Sequence, residues 1–350
     1  MNATVRWFLM IRVLMITSEW PTDEHPEWAP FIVRQVEFLR RRGIEVEVFH
    51  FVGRRQPANY LRAWRDAHAL LNGKSFDLVH AQWGHSALMA LPVKLPLVIT
   101  YRGGDLQGIV GANGRYTTSG RLLRLISQSM AHLADEVIVV SDHLGRYLPK
   151  REYHVIPSGL NMSLFRPMPQ QQARAQLGLL SDRRYVLFAA SPNNPVKRYS
   201  LARAAMEKIE RSCNAELLVA TGVRPELMPV YMNACDVLVV TSRYEGSPNV
   251  VKEALACDLP VVSLDVGDVG QRIAYIEGCI LCHDDDPLTI ARALTEVLKR
   301  PGRISGRPAV QNLDEALLAD SVISVYRKAL DKKTVHRLSS TQPPEDDASK

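Results

Sequence analysis

Short apolar runs alternate with longer amphipathic stretches along the first half of the chain. Residues 11–17 (IRVLMIT) form an apolar run bounded by polar turn residues, which predicts a buried strand. Apolar positions then recur at helical spacing over residues 31–42, a segment opened by Pro30 and ended by Gly43. The alternation continues with predicted strands at 44–51, 76–81, 97–101 and 136–140 and predicted helices at 61–71 and 121–133. This pattern favours a parallel sheet covered by helices on both faces.

The alternation stops at a proline-rich stretch and then starts again. Pro157, Pro167 and Pro169 interrupt it, and we place a linker at residues 166–172. Beyond the linker the predicted strands are 185–190, 216–221, 237–241 and 260–264, and the predicted helices are 201–210, 225–234, 250–256, 287–299 and 314–330. The sequence therefore predicts an α/β protein of two Rossmann-like domains, residues 1–167 and 168–331, which face each other across a cleft.

The C-terminal end of the chain carries two further expectations. Helix 314–330 is a candidate to pack back on the first domain. Residues 332–350 are polar and end in TQPPEDDASK, so we expect a disordered tail.

Composition places the chain among ordinary globular proteins. It has 350 residues, of which 46% are hydrophobic and 23% charged, which excludes collagen-like, mucin-like and wholly disordered classes. No run of 18 apolar residues occurs, so no membrane-spanning helix is predicted. The apolar residues 7–17 are interrupted by Arg12 and lack a cleavage site, so no signal peptide is expected, and Met10 is an alternative start to Met1.

The five cysteines do not indicate a disulfide framework. Their number is odd and they all lie in the second half, at positions 213, 235, 257, 279 and 282. Cys279 and Cys282 precede His283, but no second ligand pair stands at a spacing that zinc requires. We therefore expect a reducing, cytoplasmic compartment.

The net charge of +6 belongs entirely to the first half. Residues 1–168 carry 20 Lys and Arg against 14 Asp and Glu, whereas residues 169–350 carry 23 of each. A basic first domain attracts an anionic partner, such as acidic lipid or a phosphorylated substrate. Aromatic and basic residues are not interleaved in the way that base recognition requires, so nucleic acid is not expected.

The segment 236–256 (DVLVVTSRYEGSPNVVKEALA) is the most informative part of the chain. A buried strand ends in a polar turn at Glu245, and a helix begins near Asn249, with Glu253 on its first turns. Free N–H groups at a helix N-terminus suit a phosphate, and carboxylates suit sugar hydroxyls. On spacing alone, a loop charge and a solvated helix residue explain the two glutamates equally well.

The segment resembles the E-x7-E motif of retaining glycosyltransferases of family 4, which have the GT-B fold. Glu245 and Glu253 occupy the two glutamate positions. The resemblance extends over about residues 10–330 and includes EWPTDEHPEWAPFIVRQVEFLRRRGIEVEVF, FDLVHAQWG, LVITYRGGDLQG, HVIPSGLNMSLFRP and LPVVSLDVGDVGQRI. E-x7-E alone would be a weak signature, whereas the combined motifs are specific.

The resemblance implies roles for named residues. In the family the first glutamate contacts the transferred sugar, the second contacts the ribose, and a lysine at the first helix of the second domain binds the diphosphate. These positions correspond to Glu245, Glu253 and Lys197, so Lys197 and Glu245 are the predicted catalytic residues. A fixed cation stabilises the charge that builds on the leaving diphosphate. The predicted donor-binding residues are Thr221, Arg198, Gly246, Ser247, Asn249, Val250 and Glu253.

Three departures from the family pattern stand out. Ser191, Asn193 and Asn194 precede Lys197, where the family has a second basic residue, and Arg198 is the candidate to replace that charge. Arg102 occupies the position before the glycine loop where the family often has a histidine, and arginine does not act as a base. The stretch 221–231 is short, which predicts that one strand of the second sheet is missing.

The acceptor side is predicted on the first domain. Arg102, Gly103 and Asp105 lie in the loop after strand 97–101, and His85 follows strand 76–81. Arg102 is a candidate to hold a substrate or phosphate oxygen. For His85 a satisfied surface histidine is the competing interpretation.

A metal site at Asp284–Asp286 is the rival to this donor site. An Asp-x-Asp holds a divalent cation in the other glycosyltransferase fold, GT-A. Asp286, however, directly precedes Pro287 at a helix start, which favours helix capping. The resemblance to GT-B enzymes implies no metal and no cofactor beyond the nucleotide-sugar co-substrate.

The sequence therefore predicts a cytoplasmic, retaining glycosyltransferase that moves a sugar from a nucleotide-sugar to a glycan or lipid-linked acceptor. The sequence of segment 241–269 resembles that of bacterial enzymes of cell-surface polysaccharide synthesis. This resemblance implies a peripheral position on the inner face of the membrane. Two alternatives stay open: a GT-B sugar-nucleotide epimerase, and a non-catalytic scaffold of a polysaccharide synthesis complex.

Overall fold

The computed structural model describes residues 10–25, 28–53, 56–111, 113–148, 152–209, 213–300 and 302–339, with side chains to Thr334. Two parallel sheets, each flanked by helices, make up the fold, as the alternation predicted. No helix in these ranges is both long enough and apolar enough to cross a bilayer.

The first sheet has six parallel strands in the order β2-β1-β3-β4-β5-β6. Its elements are β1 (Arg12–Thr17), α1 (Pro30–Arg41), β2 (Glu45–His50), α2 (Pro57–Gly73), β3 (Leu78–Gln82), β4 (Leu97–Tyr101), α3 (Gly104–Gln107), α4 (Thr118–Leu133), β5 (Glu136–Val139), α5 (Asp142–Gly145) and β6 (His154–Val155). A 3-10 helix, Gly84–Ala90, follows β3.

Alternate residues of β1 enter different cores, which explains why the strand is apolar throughout. Leu14 and Ile16 pack with α2, α4 and the 3-10 helix, whereas Val13 and Met15 pack with α1. A strand buried on both faces carries no polar alternation. This is why 11–17 reads as one continuous apolar run.

The second sheet has five parallel strands in the order β11-β10-β9-β7-β8. Its elements are α6 (Gln170–Leu177), β7 (Arg184–Phe188), α7 (Tyr199–Met206), β8 (Ala215–Val219), α8 (Met228–Ala234), β9 (Val237–Val240), α9 (Asn249–Ala256), β10 (Val261–Leu264), α10 (Val269–Ile273), β11 (Ile280–Cys282) and α11 (Pro287–Lys299). Within the described residues only a 3-10 turn, Pro225–Leu227, lies between β8 and α8, so the short spacing there indeed lacks a strand.

The last helix, α12 (Glu315–Ser339), leaves the second domain and packs on the first sheet. Val322, Tyr326 and Ala329 share a core with β1 and α1. The phenol of Tyr326 lies 2.7 Å from Nδ1 of His80, a fully buried histidine of β3. The helix therefore joins the two domains at the side opposite α2 and α4.

The prediction of a disordered tail from Lys332 is wrong over residues 332–339, which continue α12. Lys332 bonds the buried carboxylate of Glu136 at 2.6 Å, with Lys328 3.6 Å from it. These ion pairs hold the helix on the sheet beyond its apolar stretch. Residues 340–350 lie outside the described residues.

Candidate active site

The loops at the carboxyl ends of the two sheets meet across the domain boundary. Tyr244 and Glu245, which follow β9, contact α3 and Gly108, which follow β4. Ligands of such sheets bind at the carboxyl ends of the strands. The candidate site therefore lies where both domains contribute loops.

Lys197 and Glu245 are in direct contact. The ammonium Nζ of Lys197 lies 2.5 Å from Oε1 of Glu245, and the two side chains are 28% and 15% exposed. Lys197 is fixed from behind, because the buried hydroxyl of Thr241 at the end of β9 donates to its carbonyl at 2.8 Å. A cation and a carboxylate are thus held together, within reach of solvent.

Glu253 lies on α9 among charges from three elements. The residue is half-buried, and its carboxyl group has a raised pKa, mainly because that group is removed from water; Arg34 and Lys252 lower the pKa and Glu315 raises it. Arg34 belongs to α1 of the first domain and pairs with Glu315 at the start of α12. The second glutamate of the motif therefore faces the junction of both domains with the last helix.

The turn between Glu245 and α9 is glycine-dependent and polar. Gly246 is buried, and a Cβ there would lie 2.2 Å from the carbonyl oxygen of Arg102. Ser247 donates to Asp268 at 2.8 Å. Asn249 and Val250 begin α9, which has no side-chain cap, so its first N–H groups are not covered by a capping side chain.

Arg198 and Thr221 have different surroundings from the other predicted donor residues. Arg198 donates to the carbonyl oxygens of Thr241 and Ser242 at 2.7 and 3.2 Å, and to Asp285 at 2.7 Å. These contacts tie the start of α7 to the end of β9. Thr221 is exposed two residues after β8. Donor contacts by either residue stay predictions.

Arg102 is enclosed by polar partners from its own domain. Its guanidinium donates to Gln82 at 2.7 and 3.0 Å, to Gln35 at 3.2 Å and to Ser158 at 2.8 Å, and it stacks over Phe31. Burial lowers the pKa of Arg102 to about 10, while Asp105 raises it, so the group is charged at neutral pH.

The remaining acceptor-side residues shape the loops. Asp105 is 2% exposed and accepts from the backbone N–H groups of Gly84, Arg102 and Gly103, so it holds two loops together. Gly103 has a φ of 136°, which only glycine adopts readily. The His85 ring lies 3.1 Å from the Ser18 hydroxyl, and burial lowers its pKa to about 4, so it is neutral. Direct acceptor contacts by Asp105 or His85 stay predictions.

The acidic segment Asp284–Asp286 is used structurally. Asp286 caps α11 by accepting from the N–H of Leu288, which confirms the predicted cap, and Asp285 pairs with Arg198. Across the described parts of the chain, no three His, Cys, Asp or Glu side chains cluster as a metal site would require. All five cysteines are free.

Lys252 is a residue of this region that the sequence analysis missed. Its side chain is 1% exposed, and its ammonium donates to Asn249 at 2.9 Å and to the carbonyl of Ser158 at 3.4 Å. Burial lowers its pKa to about 7. A lysine beside a glutamate on a helix is usually exposed to solvent. In the sequence, only the helical spacing of Lys252 from the apolar residues Leu255 and Ala256 indicated that its side chain is buried.

Comparison with known protein families identifies both domains. The sequence model described as "Glycosyl transferase 4-like domain" matches residues 9–159, and that described as "Glycosyl transferases group 1" matches residues 183–300. Each match covers one of the two sheets with its loops. The chain belongs to family 4 of the GT-B glycosyltransferases.

Relatives with assigned names are distant in sequence. A D-inositol 3-phosphate glycosyltransferase of Segniliparus rotundus is 26% identical over 91% of this chain and 81% of its own length. A Bacillus subtilis protein, TuaC, whose name refers to teichuronic acid biosynthesis, is 26% identical over 55% of this chain and 54% of its own. The chain spans about half the length of several of the curated relatives it matches.

A solved structure supports the fold independently. Alr3699/HepE from Anabaena, crystallised with UDP and glucose, superposes with a TM-score of 0.66 over 91% of this chain and all of that chain. The two sequences are only 16% identical, so this similarity bears on the fold. It confirms the GT-B arrangement.

Proposed function

We propose that the protein is a retaining glycosyltransferase that takes its sugar from a nucleoside-diphosphate sugar. The observation that carries this proposal is the contact between Lys197 and Glu245 at the domain boundary, with Glu253 eight residues further on. Family membership supplies the reaction class, and HepE, a structural neighbour, has been crystallised with UDP and glucose.

The chemistry follows from the charges of the site. Cleavage of the sugar–phosphate bond transfers negative charge to the leaving diphosphate, which Lys197 and the N–H groups at the start of α9 would stabilise. Glu245 would accept hydrogen bonds from sugar hydroxyls and Glu253 from the ribose. Arg102 keeps its proton, so the acceptor hydroxyl would pass its proton to the leaving diphosphate as the acceptor attacks the same face of the sugar.

We further propose a role in the synthesis of a bacterial cell-surface polysaccharide, with a glycan or lipid-linked acceptor. The name of TuaC supports this assignment, as does the net charge of the first domain. The name of the Segniliparus relative indicates a phosphorylated cyclitol acceptor instead. Both acceptor classes can carry anionic groups, which suits a basic domain.

A surface of the first domain is suited to an anionic membrane. We call the outer faces of α2 and α4 the basic face: its members are Leu61, Arg62, Arg65, Arg121, Leu122, Arg124 and Leu125. Leu61, Leu122 and Leu125 are about 60% exposed. Arg62, Arg65 and Arg121 are exposed, whereas Arg124 is half-buried over the ring of Tyr147. The sequence also places Arg54, Arg55 and Arg115 near these helices; Arg115 is exposed, whereas Arg54 and Arg55 lie outside the described residues. The competing interpretation is two solvated helix faces.

A thermal-shift screen over UDP-, GDP- and ADP-sugars tests the proposed donor class. Specific binding raises the melting temperature by mass action, so one nucleotide series should stand out. Glu253→Gln should reduce that shift. A chain that binds none of the three series would contradict the proposal. Isomerisation of the donor in the absence of an acceptor would indicate an epimerase. Donor binding without transfer to any acceptor would indicate a scaffold.

A further inference from the structure

The segment Tyr244–Gly246 belongs to the second domain, but each of its three residues makes a hydrogen bond with the first domain. The Tyr244 phenol donates to the carbonyl of Gly108 at 2.8 Å, and the Gln107 amide donates to the carbonyl of Glu245 at 3.0 Å. The Ser141 hydroxyl donates to the carbonyl of Gly246 at 2.6 Å. Three consecutive residues are thus each bonded across the domain boundary.

Glycines allow the two backbones to approach this closely. A Cβ on Gly246 would lie 2.2 Å from the carbonyl oxygen of Arg102, and a Cβ on Gly103 would lie 3.0 Å from the nitrogen of Gly246. Behind the segment, a Cβ on Gly267 would lie 2.7 Å from the carbonyl oxygen of Gly246. The segment is therefore clasped between a loop of the first domain and a loop of its own domain.

The side chain of Glu245 is held from the other direction. Its carboxylate contacts Lys197 within the second domain, while its backbone carbonyl accepts from Gln107 of the first domain. Gln107 and Ser141 are 2% and 3% exposed, so their hydrogen bonds are shielded from competing water. Burial also raises the pKa of Tyr244, so its phenol remains a donor at neutral pH.

We propose that Tyr244, Gln107 and Ser141 are positioning residues, which fix Glu245 for sugar transfer through hydrogen bonds across the domain boundary. The inference rests on the proposed function. It adds that the position of Glu245 depends on contact between the two domains. The donor-binding glutamate then reaches its working place only when the acceptor domain is docked against it. Transfer of the sugar to water is correspondingly limited while the domains are apart.

The test removes two hydroxyl groups without changing side-chain volume appreciably. Tyr244→Phe combined with Ser141→Ala deletes two of the three cross-domain bonds. Tyr153→Phe combined with Ser129→Ala is the matched control, because those hydroxyls bond Asp142 and Leu125 within the first domain. Two measurements are made on the full chain: steady-state kinetics with the nucleotide-sugar that the thermal-shift screen identifies, and the radius of gyration by small-angle X-ray scattering.

The double variant should lose about tenfold or more in kcat, since each hydrogen bond contributes up to about a factor of ten. Its donor KM should change by less than about threefold, because neither substitution touches Glu253, the residue proposed to bind the ribose. The control should match the wild type. A double variant with the kcat of the control would overturn the proposal.

The scattering measurement is independent of any sugar transfer. Gly246→Ala inserts a methyl group where the two domains touch, so its radius of gyration should exceed the roughly 20 Å of a compact chain of this length by about 1 Å or more. An unchanged radius in Gly246→Ala would contradict the contact itself. If the wild type transferred no sugar, the proposed function would fail, but the radius of gyration would still test the contact between the domains.

Discussion

The ammonium group of Lys197 lies 2.5 Å from the Glu245 carboxylate. The side chain predicted to bind the diphosphate is therefore paired with the side chain predicted to bind the sugar. A donor that engages both groups must exchange this ion pair for its own contacts. Neither charge is left without a partner in either arrangement. The contact therefore explains how two opposite charges are kept in one partly buried site.

Substitution of the three predicted donor residues should lower activity to different extents. Lys197→Ala should be the most severe, because it leaves the charge of the leaving diphosphate uncompensated; losses of about 2–4 kcal/mol in transition-state stabilisation are expected. Glu245→Gln and Glu253→Gln should be milder, since the amide oxygen still accepts hydrogen bonds. Initial rates at fixed donor and acceptor concentrations measure the effect.

Lys208→Ala is the matched control for Lys197, because Lys208 is an exposed lysine just beyond the end of the same helix, α7. It should retain the wild-type rate. If Lys197→Ala and both glutamine variants kept that rate as well, the donor site would lie elsewhere.

Activity should survive chelation of divalent cations. In the proposed site, Lys197 and the N–H groups at the start of α9 take the place of a metal in neutralising the diphosphate. Rates are compared before and after dialysis against EDTA. Loss of activity that manganese restores would instead move the site to Asp284–Asp286.

The buried Lys252 should give the protein a specific pH dependence of stability. Burial lowers the pKa of Lys252 from 10.5 to about 7, opposed in part by Asp268 and Glu253 and reinforced by Arg272 and Arg102. Between these values the unfolded chain binds the proton more tightly than the folded protein does. The contribution of Lys252 to the free energy of unfolding should therefore rise from about pH 7 to pH 10.

Lys252→Met isolates this contribution, because other titrating groups cancel in the comparison with the wild type. The stability of the variant relative to the wild type should be greatest near pH 7 and decline by at least about 1 kcal/mol towards pH 10, measured by urea denaturation. Lys208→Met should show a pH-independent difference. A constant difference for Lys252→Met would mean that the buried lysine keeps an ordinary pKa.

The basic face should bind anionic membranes. Wild-type protein should sediment with phosphatidylglycerol vesicles at low salt, be released at high salt and ignore neutral vesicles, since each basic residue near the surface adds about 1 kcal/mol. Replacing Arg62, Arg65, Arg121 and Arg124 together by serine should abolish sedimentation and leave donor binding intact.

The control for the membrane experiment replaces four exposed arginines of the second domain by serine: Arg203, Arg224, Arg292 and Arg300. That variant should sediment like the wild type. Equal loss in both variants would indicate a non-specific charge effect, and sedimentation of the first variant would leave two solvated helix faces as the correct interpretation.

Sequence periodicity predicted the long elements well because burial on both faces leaves a strong apolar signal, as in β1 and β4. It missed α3, α5 and α10, which are four or five residues long and too short to show a helical period. The extension of α12 was missed because Lys332 reads as a solvated charge, whereas it pairs with Glu136 across 196 positions of sequence. Ion pairs between residues far apart in sequence do not affect the local pattern of apolar and polar positions.

The candidate site divides in the same way. Lys197, Glu245 and Glu253 could be proposed from sequence, because the family motifs that contain them are contiguous segments. The contacts of Gln107, Ser141 and Tyr244 could not, since each depends on the docking of two domains. Arg102 was recognised as unusual in sequence, but its contacts with Gln82, Gln35 and Ser158 required the structure.

The stereochemistry of transfer tests the central claim most directly. The protein is incubated with the α-linked nucleotide-sugar that the thermal-shift screen identifies, together with an acceptor, and the product is examined by NMR. The account predicts release of the nucleoside diphosphate and an α-linked product, with Lys197→Ala nearly inactive. A β-linked product, or isomerisation of the donor with no acceptor present, would contradict it.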